Sequence, residues 1–338
     1  MIYTYGITMQ GTAHIEKNIV CQDAHKIVKC DKNMVIAAVG DGLGSEKHSD
    51  IASKIAVEIS TEYCKQNIVQ TSSADEILNI IKTSFFMAQR AIEKAVKERG
   101  HSLDQYDTTL SAAVLINDTL YYGHSGDSGI VALTTEGLYE KVTEQQRDEY
   151  GRVFPLFFED RWVFGQFDKK VRSVLLATDG ILETLFPEFL KCIPASIRVD
   201  LAQFFMDNQK LRINDHGEET VKAYIENYIK NIKSEEVQDD KTVVALINSS
   251  VEAGRQPEDY YKKYNWEEIK RVYHEEWKRQ AYPNLFSGEV VEPAVILKSD
   301  NETPPANVLK ENQRKNIIKR ALEYIMRKNY LPVENNVG

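Results

Sequence analysis

The chain has 338 residues, of which 42% are hydrophobic and 28% are charged, and this composition argues against a largely disordered or fibrous protein. The length suits one large domain with an extension. A formal net charge of -9 argues against nucleic acid as the main partner, because neutralising phosphates requires clustered Lys and Arg.

The N-terminal part of the chain predicts three strands followed by two long helices. Apolar β-like runs and then two stretches with helical apolar spacing occur at residues 2–9, 24–28, 34–39, 49–67 and 73–99. The third run stops at Gly40 and Asp41, so this strand end delivers a carboxylate. We expect the two helices to pack as a layer on a sheet.

The middle of the chain returns to β-like runs, at residues 109–116, 119–124, 129–134, 171–177 and 242–247. Turn signals between the first three of these runs predict an antiparallel meander. Two further helical stretches precede the last run. This order of elements predicts an α+β fold, an αββα sandwich of two mainly antiparallel sheets flanked by helices.

The sequence changes character after Asn248, where a polar stretch is typical of a linker. We therefore expect a first domain over residues 1–249, and a linker with a helical extension over residues 250–338. The periodic aromatics Trp266 and Trp277 lie in one predicted helix, and apolar residues predict a second helix at 317–325 after a loop. We expect these helices to dock on the first domain and to regulate it or recruit a partner.

The sequence also indicates a cytoplasmic protein without a membrane partner. The N-terminus has no basic region or long apolar run typical of a signal peptide, and no stretch approaches the roughly 20 apolar residues of a membrane helix. The four cysteines are far apart without CxxC spacing. They are expected to be reduced thiols, since this spacing argues against a zinc ribbon or a disulfide framework.

Four aspartates stand at the edges of apolar β-like runs: Asp41, Asp127, Asp179 and Asp239. A turn or a helix cap explains any one of them alone. Together they can meet at one rim of a sheet system, where their repulsion is costly unless cations neutralise it. Oxygen ligands of this kind suit Mg²⁺ or Mn²⁺ rather than zinc.

Glycine follows two of these aspartates, at Gly42 and Gly180, and allows the backbone to approach an ion closely. A pair of divalent cations at such a site can lower the pKa of a bridging water and clamp a phosphoryl group for in-line attack. This chemistry needs no Ser, Cys or His nucleophile.

Six ordered segments resemble the metal-dependent protein phosphatases of the type 2C (PPM) family, most closely its bacterial branch. They are GTAHIEKNIVCQDA, AAVGDGLGS, YDTTLSAAVLI, GHSGDSGIVAL, LLATDGILE and QDDKTVVALI, within residues 2–248. Each segment is a weak signal by itself, whereas six in the family's order are a strong one. The resemblance implies a Ser/Thr phosphatase that uses two divalent cations, Mn²⁺ or Mg²⁺, and a weaker third ion.

The resemblance also implies roles for individual residues. Asp41 would bridge both metals, and the Gly42 carbonyl would bind the second. Asp179 and Asp239 would hold the first metal. Asp23 would act on metal-bound water near the second site.

Other motif residues are expected to play smaller parts. Asp127 matches a residue that contributes to the third metal, while Thr108 and Thr109 match a structural pair. The expected partner is a phosphorylated protein, the product of a Ser/Thr kinase.

Four positions depart from the family pattern. Asp240 stands in place of the usual asparagine of the last motif, which keeps the expected ligand Asp239. His14 stands where many members place a phosphate-binding arginine, and it is either a phosphate contact or general acid, or an ordinary buried or surface histidine. Gly129 follows the Gly-Asp-Ser motif in place of an arginine. Glu183 replaces a second aspartate, which leaves the third metal site open to question.

The aromatic segment at residues 140–170 corresponds by position to the family's variable flap. One interpretation is a small satellite core under a loop. The other is a substrate or partner surface, in which Arg147, Arg152 or Arg161 supplies the phosphate contact.

Three functions remain open at this point. The leading one is hydrolysis of phosphoserine and phosphothreonine in proteins. A pseudophosphatase that binds phosphoproteins without turnover and a phosphohydrolase for small phosphate esters are the alternatives.

Overall fold

The computed structural model describes residues 1–282 of the chain. The loop predicted after residue 282 and the helix predicted at 317–325 lie outside the described residues.

The strands form ten elements within this part of the chain. They are β1 Ile2–Met9, β2 Ala24–Lys29, β3 Met34–Gly40, β4 Leu110–Ile116, β5 Thr119–Ser125, β6 Gly129–Thr134, β7 Tyr139–Lys141, β8 Val163–Gln166, β9 Val171–Ala177 and β10 Lys241–Asn248.

The α-helices of residues 1–282 follow the same order along the chain. They are α1 Thr12–Glu16, α2 Ser49–Asn67, α3 Ala74–Arg99, α4 Asp179–Leu185, α5 Val199–Met206, α6 Asn208–Leu211, α7 Ile213–His216, α8 Glu218–Lys230 and α9 Trp266–Ala281.

The strands form two five-stranded sheets with the orders β1-β10-β9-β6-β7 and β2-β3-β4-β5-β8. Every paired strand of the described residues is antiparallel. The α+β sandwich predicted from the sequence is therefore confirmed. The predicted meander is wrong in its third strand, because β4 and β5 form a hairpin while β6 pairs with β9 and β7 in the other sheet.

Three apolar layers hold the sandwich together. Strand β3 is buried along its whole length, and its side chains divide between two of these layers. Ile36 and Ala38 face the layer beneath α2 and α3, whereas Val35 and Val39 face the other sheet. Because helices cover one face and a second sheet covers the other, a continuous apolar run is what this strand requires. The third layer lies between the first sheet and the helices from α4 to α8.

The helix pair was predicted from its apolar spacing, and its ends follow local capping rules. Ser73 and Glu76 form a capping box at the start of α3, and Gly100 adopts φ 66° at its end, a left-handed conformation that glycine adopts without strain. Ile77, Ile81 and Phe85 lie on the buried face of α3. The helices therefore fix the outer layer of the second sheet.

Aromatic side chains of the segment 140–170 pack on this helix layer. The ring of Phe85 lies 5.5 Å from that of Trp162 and 5.1 Å from that of Phe164, in edge-on arrangements. The Trp162 indole N–H donates to the Leu156 carbonyl at 2.8 Å. These contacts agree with the satellite-core interpretation for the aromatic residues.

The chain divides into two compact units. The first comprises Met1–Arg147 and Val153–Lys263, and the second comprises Asp148–Arg152 and the chain from Tyr264. Within the first unit, the Tyr260 hydroxyl accepts a hydrogen bond from the Tyr139 N–H at 2.8 Å. The predicted linker thus contributes packing to the first unit.

In the second unit, α9 begins at an Asn265 cap that accepts from the Glu268 N–H. The division into a phosphatase-like domain and a regulatory extension stays a prediction. Across residues 1–282, no helix combines the length and the apolar character needed to cross a bilayer.

Candidate metal centre

Asp41 and Asp23 stand side by side at one end of the second sheet. Ala24 pairs with Gly40 at this end, so Asp23 precedes β2 where Asp41 follows β3. The Asp41 N–H donates to Thr109 Oγ1 at 3.0 Å, and the Asp41 carbonyl accepts from the Thr109 N–H at 2.8 Å. These contacts hold the backbone of Asp41 from both sides.

Thr109 also joins this loop to the neighbouring one. Its hydroxyl lies 2.8 Å from Ser128 Oγ, next to Asp127. The Thr108 hydroxyl donates to the Asp41 carbonyl at 3.0 Å. The Thr-Thr pair therefore positions the backbone of two carboxylate-bearing loops.

Asp179 lies just after β9 of the first sheet, and the hydroxyl of its neighbour Thr178 contacts Asp23. Thr178 ends the extended segment after β9 and precedes α4, of which Asp179 is the first residue. The Thr178 hydroxyl donates to Asp23 Oδ2 at 2.8 Å. This buried hydrogen bond joins the carboxylate ends of the two sheets.

Arg147 lies among three of the carboxylates. Its Nε and Nη2 atoms lie 2.9 and 2.7 Å from Asp127 Oδ2. The same Nη2 lies 3.1 Å from Asp179 Oδ2 and 3.4 Å from Glu183 Oε1. Glu183 is one helical turn after Asp179 on α4, so both carboxylates project toward this guanidinium.

The last aspartate pair divides its two members between solvent and interior. Asp239 is exposed, whereas Asp240 is only 3% exposed. The Asp240 carboxylate accepts from the N–H groups of Gly11 and Gln22, both at 2.6 Å. It therefore ties the first motif to the start of β10.

His14 is buried next to the Asp240 carboxylate and the two N–H groups bound to it, which together form the Asp240 clamp. Its Nδ1 lies 2.9 Å from Asp240 Oδ2, within ion-pair distance although the angle does not meet hydrogen-bond geometry. A Cβ added to Gly44 would lie 3.9 Å from His14 Nε2, so that nitrogen faces the GDGLG loop. The structure thus places His14 next to both the clamp and this loop.

The glycines after Asp41 and Asp179 are required by close packing. A Cβ on Gly42 would lie 2.7 Å from the Ser49 carbonyl oxygen and 2.8 Å from that of Gln22. A Cβ on Gly180 would collide with the Asp240 carbonyl. Both Asp-Gly pairs therefore allow neighbouring backbone to lie directly against the carboxylate loops.

The carboxylates share one electrostatic environment. Burial, followed by the charges of Asp23, Asp179, Asp127 and Asp239, raises the pKa of Asp41 well above its ordinary value. Burial, then the charge of Asp240, raises the pKa of Asp23 to about 7 despite the hydrogen bond from Thr178. Carboxylates that disfavour each other's ionisation in this way create a demand for cations.

The chemistry of these donors fits hard divalent cations. Carboxylate oxygens and the Gly42 carbonyl are the ligands that Mg²⁺ and Mn²⁺ prefer. Within residues 1–282, however, no three His, Cys, Asp or Glu side chains are assembled into a group that could hold an ion as they stand. The mutual pKa effects act over several Å, whereas coordination requires oxygens converging to about 2 Å from one point. The guanidinium of Arg147 lies between the Oδ2 atoms of Asp127 and Asp179.

Sequence reasoning underestimated two residues here. Arg147 was one of three flap arginines, and only the structure distinguishes the one that contacts Asp127 and Asp179. Asp240 was treated as the neighbour of a ligand, whereas its carboxylate binds two backbone N–H groups. The acidic residue in place of the family's asparagine was the one signal that pointed to it.

An αββα sandwich with buried, mutually repelling carboxylates at one rim defines a class of proteins with an oxygen-donor centre for divalent cations. The sequence model of the family described as Protein phosphatase 2C matches residues 10–199, more than half of the chain. The chain belongs to the protein phosphatase 2C family.

Solved structures with the same fold include bacterial phosphatases. A bacterial serine phosphatase is 13% identical with a TM-score of 0.50, and the match covers 76% of this chain and 100% of that chain. An arginine-to-lysine mutant of a bacterial serine phosphatase is 12% identical with a TM-score of 0.52, again over 76% and 100%. These likenesses establish the fold. A comparison with curated proteins found no match.

Proposed function

We propose that this protein is a metal-dependent Ser/Thr protein phosphatase. The observation that carries the proposal is the grouping of four aspartates, Asp23, Asp41, Asp127 and Asp179, at one rim of the two sheets. The Thr178 hydroxyl donates to Asp23, and Arg147 contacts both Asp127 and Asp179. Burial and neighbouring carboxylate charges raise the pKa of Asp41 and of Asp179. Membership of the protein phosphatase 2C family supports the same reaction.

Five groups of this chain would hold the cations. Asp41 and the Gly42 carbonyl would serve the second site, with Asp41 shared between the two, and Asp179 and Asp239 would serve the first. Asp127 would contribute to a weaker third site, to which Glu183 reaches from α4. When bound, Mn²⁺ or Mg²⁺ ions would supply an activated water and neutralise phosphoryl charge.

Asp23 is proposed to move the proton. Its pKa of about 7, raised first by burial and then by Asp240, allows it to accept a proton near neutral pH. The Thr178 hydroxyl occupies its Oδ2 atom and so fixes the orientation of the carboxylate. The hydrogen bonds from Thr178 and Thr242 to this carboxylate lower its pKa and so oppose the effect of burial.

His14 is proposed to assist at the substrate phosphate or the leaving group. Its Nδ1 faces Asp240 and its Nε2 faces Gly44 of the loop that follows Asp41, so one nitrogen is oriented by the protein while the other faces this loop. In this arrangement Asp240 would hold the ring in place.

The proposed substrate is phosphoserine or phosphothreonine in a protein, phosphorylated by a Ser/Thr kinase and dephosphorylated in the cytoplasm. Two acidic side chains of the rim, Asp239 and Glu183, are exposed. An open rim of this kind admits a phosphorylated loop of a large partner as well as a small ester. The choice between them is therefore an experimental question.

The first test is hydrolysis of a phosphothreonine peptide with Mn²⁺, with Mg²⁺ and with a chelator. We expect metal-dependent turnover that Asp179→Asn abolishes and that Asp75→Asn, a surface control on α3, leaves intact. Folded, metal-loaded protein that turns over no more peptide than Asp179→Asn would contradict the proposal and favour a phosphoprotein-binding module. Faster turnover of a small phosphate ester than of the peptide would favour a phosphohydrolase of small molecules.

A further inference from the structure

One guanidinium serves several carboxylates of the candidate metal centre. Arg147 contacts Asp127 through Nε and Nη2, and the same Nη2 contacts Asp179 and Glu183. Among the ion pairs of the described residues, Asp127 and Asp179 pair with no other cation. Lys241 is nearby, but its ammonium donates to the Asp239 carbonyl rather than to a carboxylate.

The contacted oxygens belong to two carboxylates that the proposed function assigns to cations. Oδ2 of Asp127 and Oδ2 of Asp179 lie 2.7 and 3.1 Å from the same Nη2 atom. A divalent cation binds carboxylate oxygens at about 2.0 to 2.6 Å, which leaves no space for an N–H donor between the same two oxygens. Arg147 and a cation bound at either of these Oδ2 atoms therefore compete for the same oxygen.

The backbone keeps Arg147 beside these oxygens. The Gln145 side chain donates to the Asp127 carbonyl at 2.8 Å, and the Gln146 N–H donates to the Gly126 carbonyl at 2.8 Å. Gln146 Oε1 also accepts from the Gly126 N–H at 3.0 Å. Because its neighbours are anchored in this way, Arg147 can release the carboxylates by rotating its side chain, without movement of the backbone. Its side chain is 26% exposed and can therefore rotate toward solvent.

We infer that Arg147 is a built-in counter-ion of the acidic centre, and that a divalent cation must displace its guanidinium from Asp127 and Asp179 in order to bind. This inference rests on the metal ligands of the proposed function. It adds that the chain's own arginine weakens metal binding, because the cation must first displace the guanidinium. Removing the arginine should therefore strengthen metal binding, although it also removes favourable ion pairs.

The test is calorimetric titration of Mn²⁺ into chelator-stripped protein, which reads binding without any turnover. Arg147→Gln is expected to bind Mn²⁺ about tenfold or more tightly than wild type, because a charge-assisted contact no longer competes. Arg161→Gln is the matched control, since Arg161 stacks on Phe154 and makes no contact with the centre. It should bind like wild type.

Equal or weaker Mn²⁺ binding by Arg147→Gln would overturn the inference, because it would mean that Arg147 preorganises the ligands. If Arg147→Gln unfolds when stripped, the same comparison is made by withdrawing Mn²⁺ from loaded protein with increasing chelator, and the variant should retain metal longer. Failure of the proposed function looks different. In that case turnover of the phosphothreonine peptide is absent although Arg147→Gln still binds Mn²⁺ more tightly than wild type.

Discussion

Asp127 and Asp179 lie at the same end of neighbouring antiparallel strands, and Arg147 contacts Oδ2 of both. The register pairs Gly129 of β6 with Ala177 of β9, so each aspartate stands two residues beyond the paired end of its strand. This strand pairing brings together two negative charges that are distant in sequence. The flap arginine offsets part of their repulsion.

Arg147 is expected to contribute to substrate binding once metal ions have bound the carboxylates that it contacts. A released guanidinium beside the centre can bind phosphate bidentately, a role that His14 cannot fill in the same way. In saturating Mn²⁺, Arg147→Gln should raise KM for a phosphothreonine peptide about tenfold, with a smaller change in kcat. The KM of Arg147→Lys should lie between those of wild type and Arg147→Gln, and the KM of Arg161→Gln should match that of wild type. An unchanged KM in Arg147→Gln would show that the arginine has no substrate contact.

The Asp240 clamp is expected to matter for stability. Its carboxylate accepts from the N–H groups of Gly11 and Gln22 in a buried position. Asp240→Ala leaves both donors without a partner and should lower the free energy of unfolding by about 2–5 kcal/mol. Asp240→Asn keeps one acceptor oxygen and should cost less. Urea unfolding of the two variants measures this, and equal losses would mean that the carboxylate charge, rather than the acceptor atoms, stabilises the clamp.

Much of the fold could be predicted because its strands are buried on both faces. The apolar runs at residues 2–9, 129–134 and 171–177 coincide with β1, β6 and β9, and their polar ends place Asp127 and Asp179 correctly along the chain. Such runs fix where a strand begins and ends. They carry no information about which neighbour it pairs with.

The incorrect meander follows from that limit. The turn between β5 and β6 has the composition of a hairpin, yet β6 crosses into the other sheet. Arg147 was equally difficult to single out, because a loop arginine has no periodic pattern and its partners are distant in sequence. Asp239 and Asp240 are the same residue type at adjacent positions, and only the fold determines which of them faces inward.

Close packing at Gly180 gives a further prediction. A Cβ there would collide with the Asp240 carbonyl, so Gly180→Ala must displace either α4 or the start of β10. We expect a loss of about 1–3 kcal/mol in stability and weaker Mn²⁺ binding through the displaced Asp179. Gly44→Ala is the control, since its nearest atoms would be 3.8 and 3.9 Å away. Equal stability of the two variants in thermal unfolding would contradict this account.

The chelated protein is expected to lose stability as pH rises from about 7 to about 8. Burial, followed by neighbouring carboxylate charges, raises the pKa of Asp41 and Asp179 well above its ordinary value. The folded state then keeps protons that the unfolded chain has released, so stability present at lower pH is lost as pH rises. Burial lowers the pKa of His25 and His124 to about 4, and these neutral rings have little influence above pH of about 7.

Urea unfolding in chelator at several pH values measures this slope. The window ends near pH 8 because burial raises the pKa of Cys21 and Cys64 to about 12, and ionisation of the unfolded thiols would add to the slope. Asp41→Asn removes one carboxylate and should flatten the dependence. Saturating Mn²⁺ should do the same in wild type. If neither Asp41→Asn nor Mn²⁺ changes the slope, the pH dependence of stability does not arise from the acidic centre.

The last prediction concerns the boundary of the first unit. Tyr260 and Tyr261 pack against the core between the first sheet and its helices, and the Tyr260 hydroxyl accepts from the Tyr139 N–H. A chain ending after Ser249 loses these contacts, whereas one ending after Lys263 keeps them. The shorter chain should therefore be less stable by about 2–4 kcal/mol, the cost of removing two half-buried aromatic side chains. Comparing the Lys263 truncation with the full chain then isolates the extension, because any change in turnover or partner binding belongs to residues 264–338 rather than to a damaged core. Equal stability of the two truncated chains would place the boundary at residue 249, as the composition of the sequence predicts.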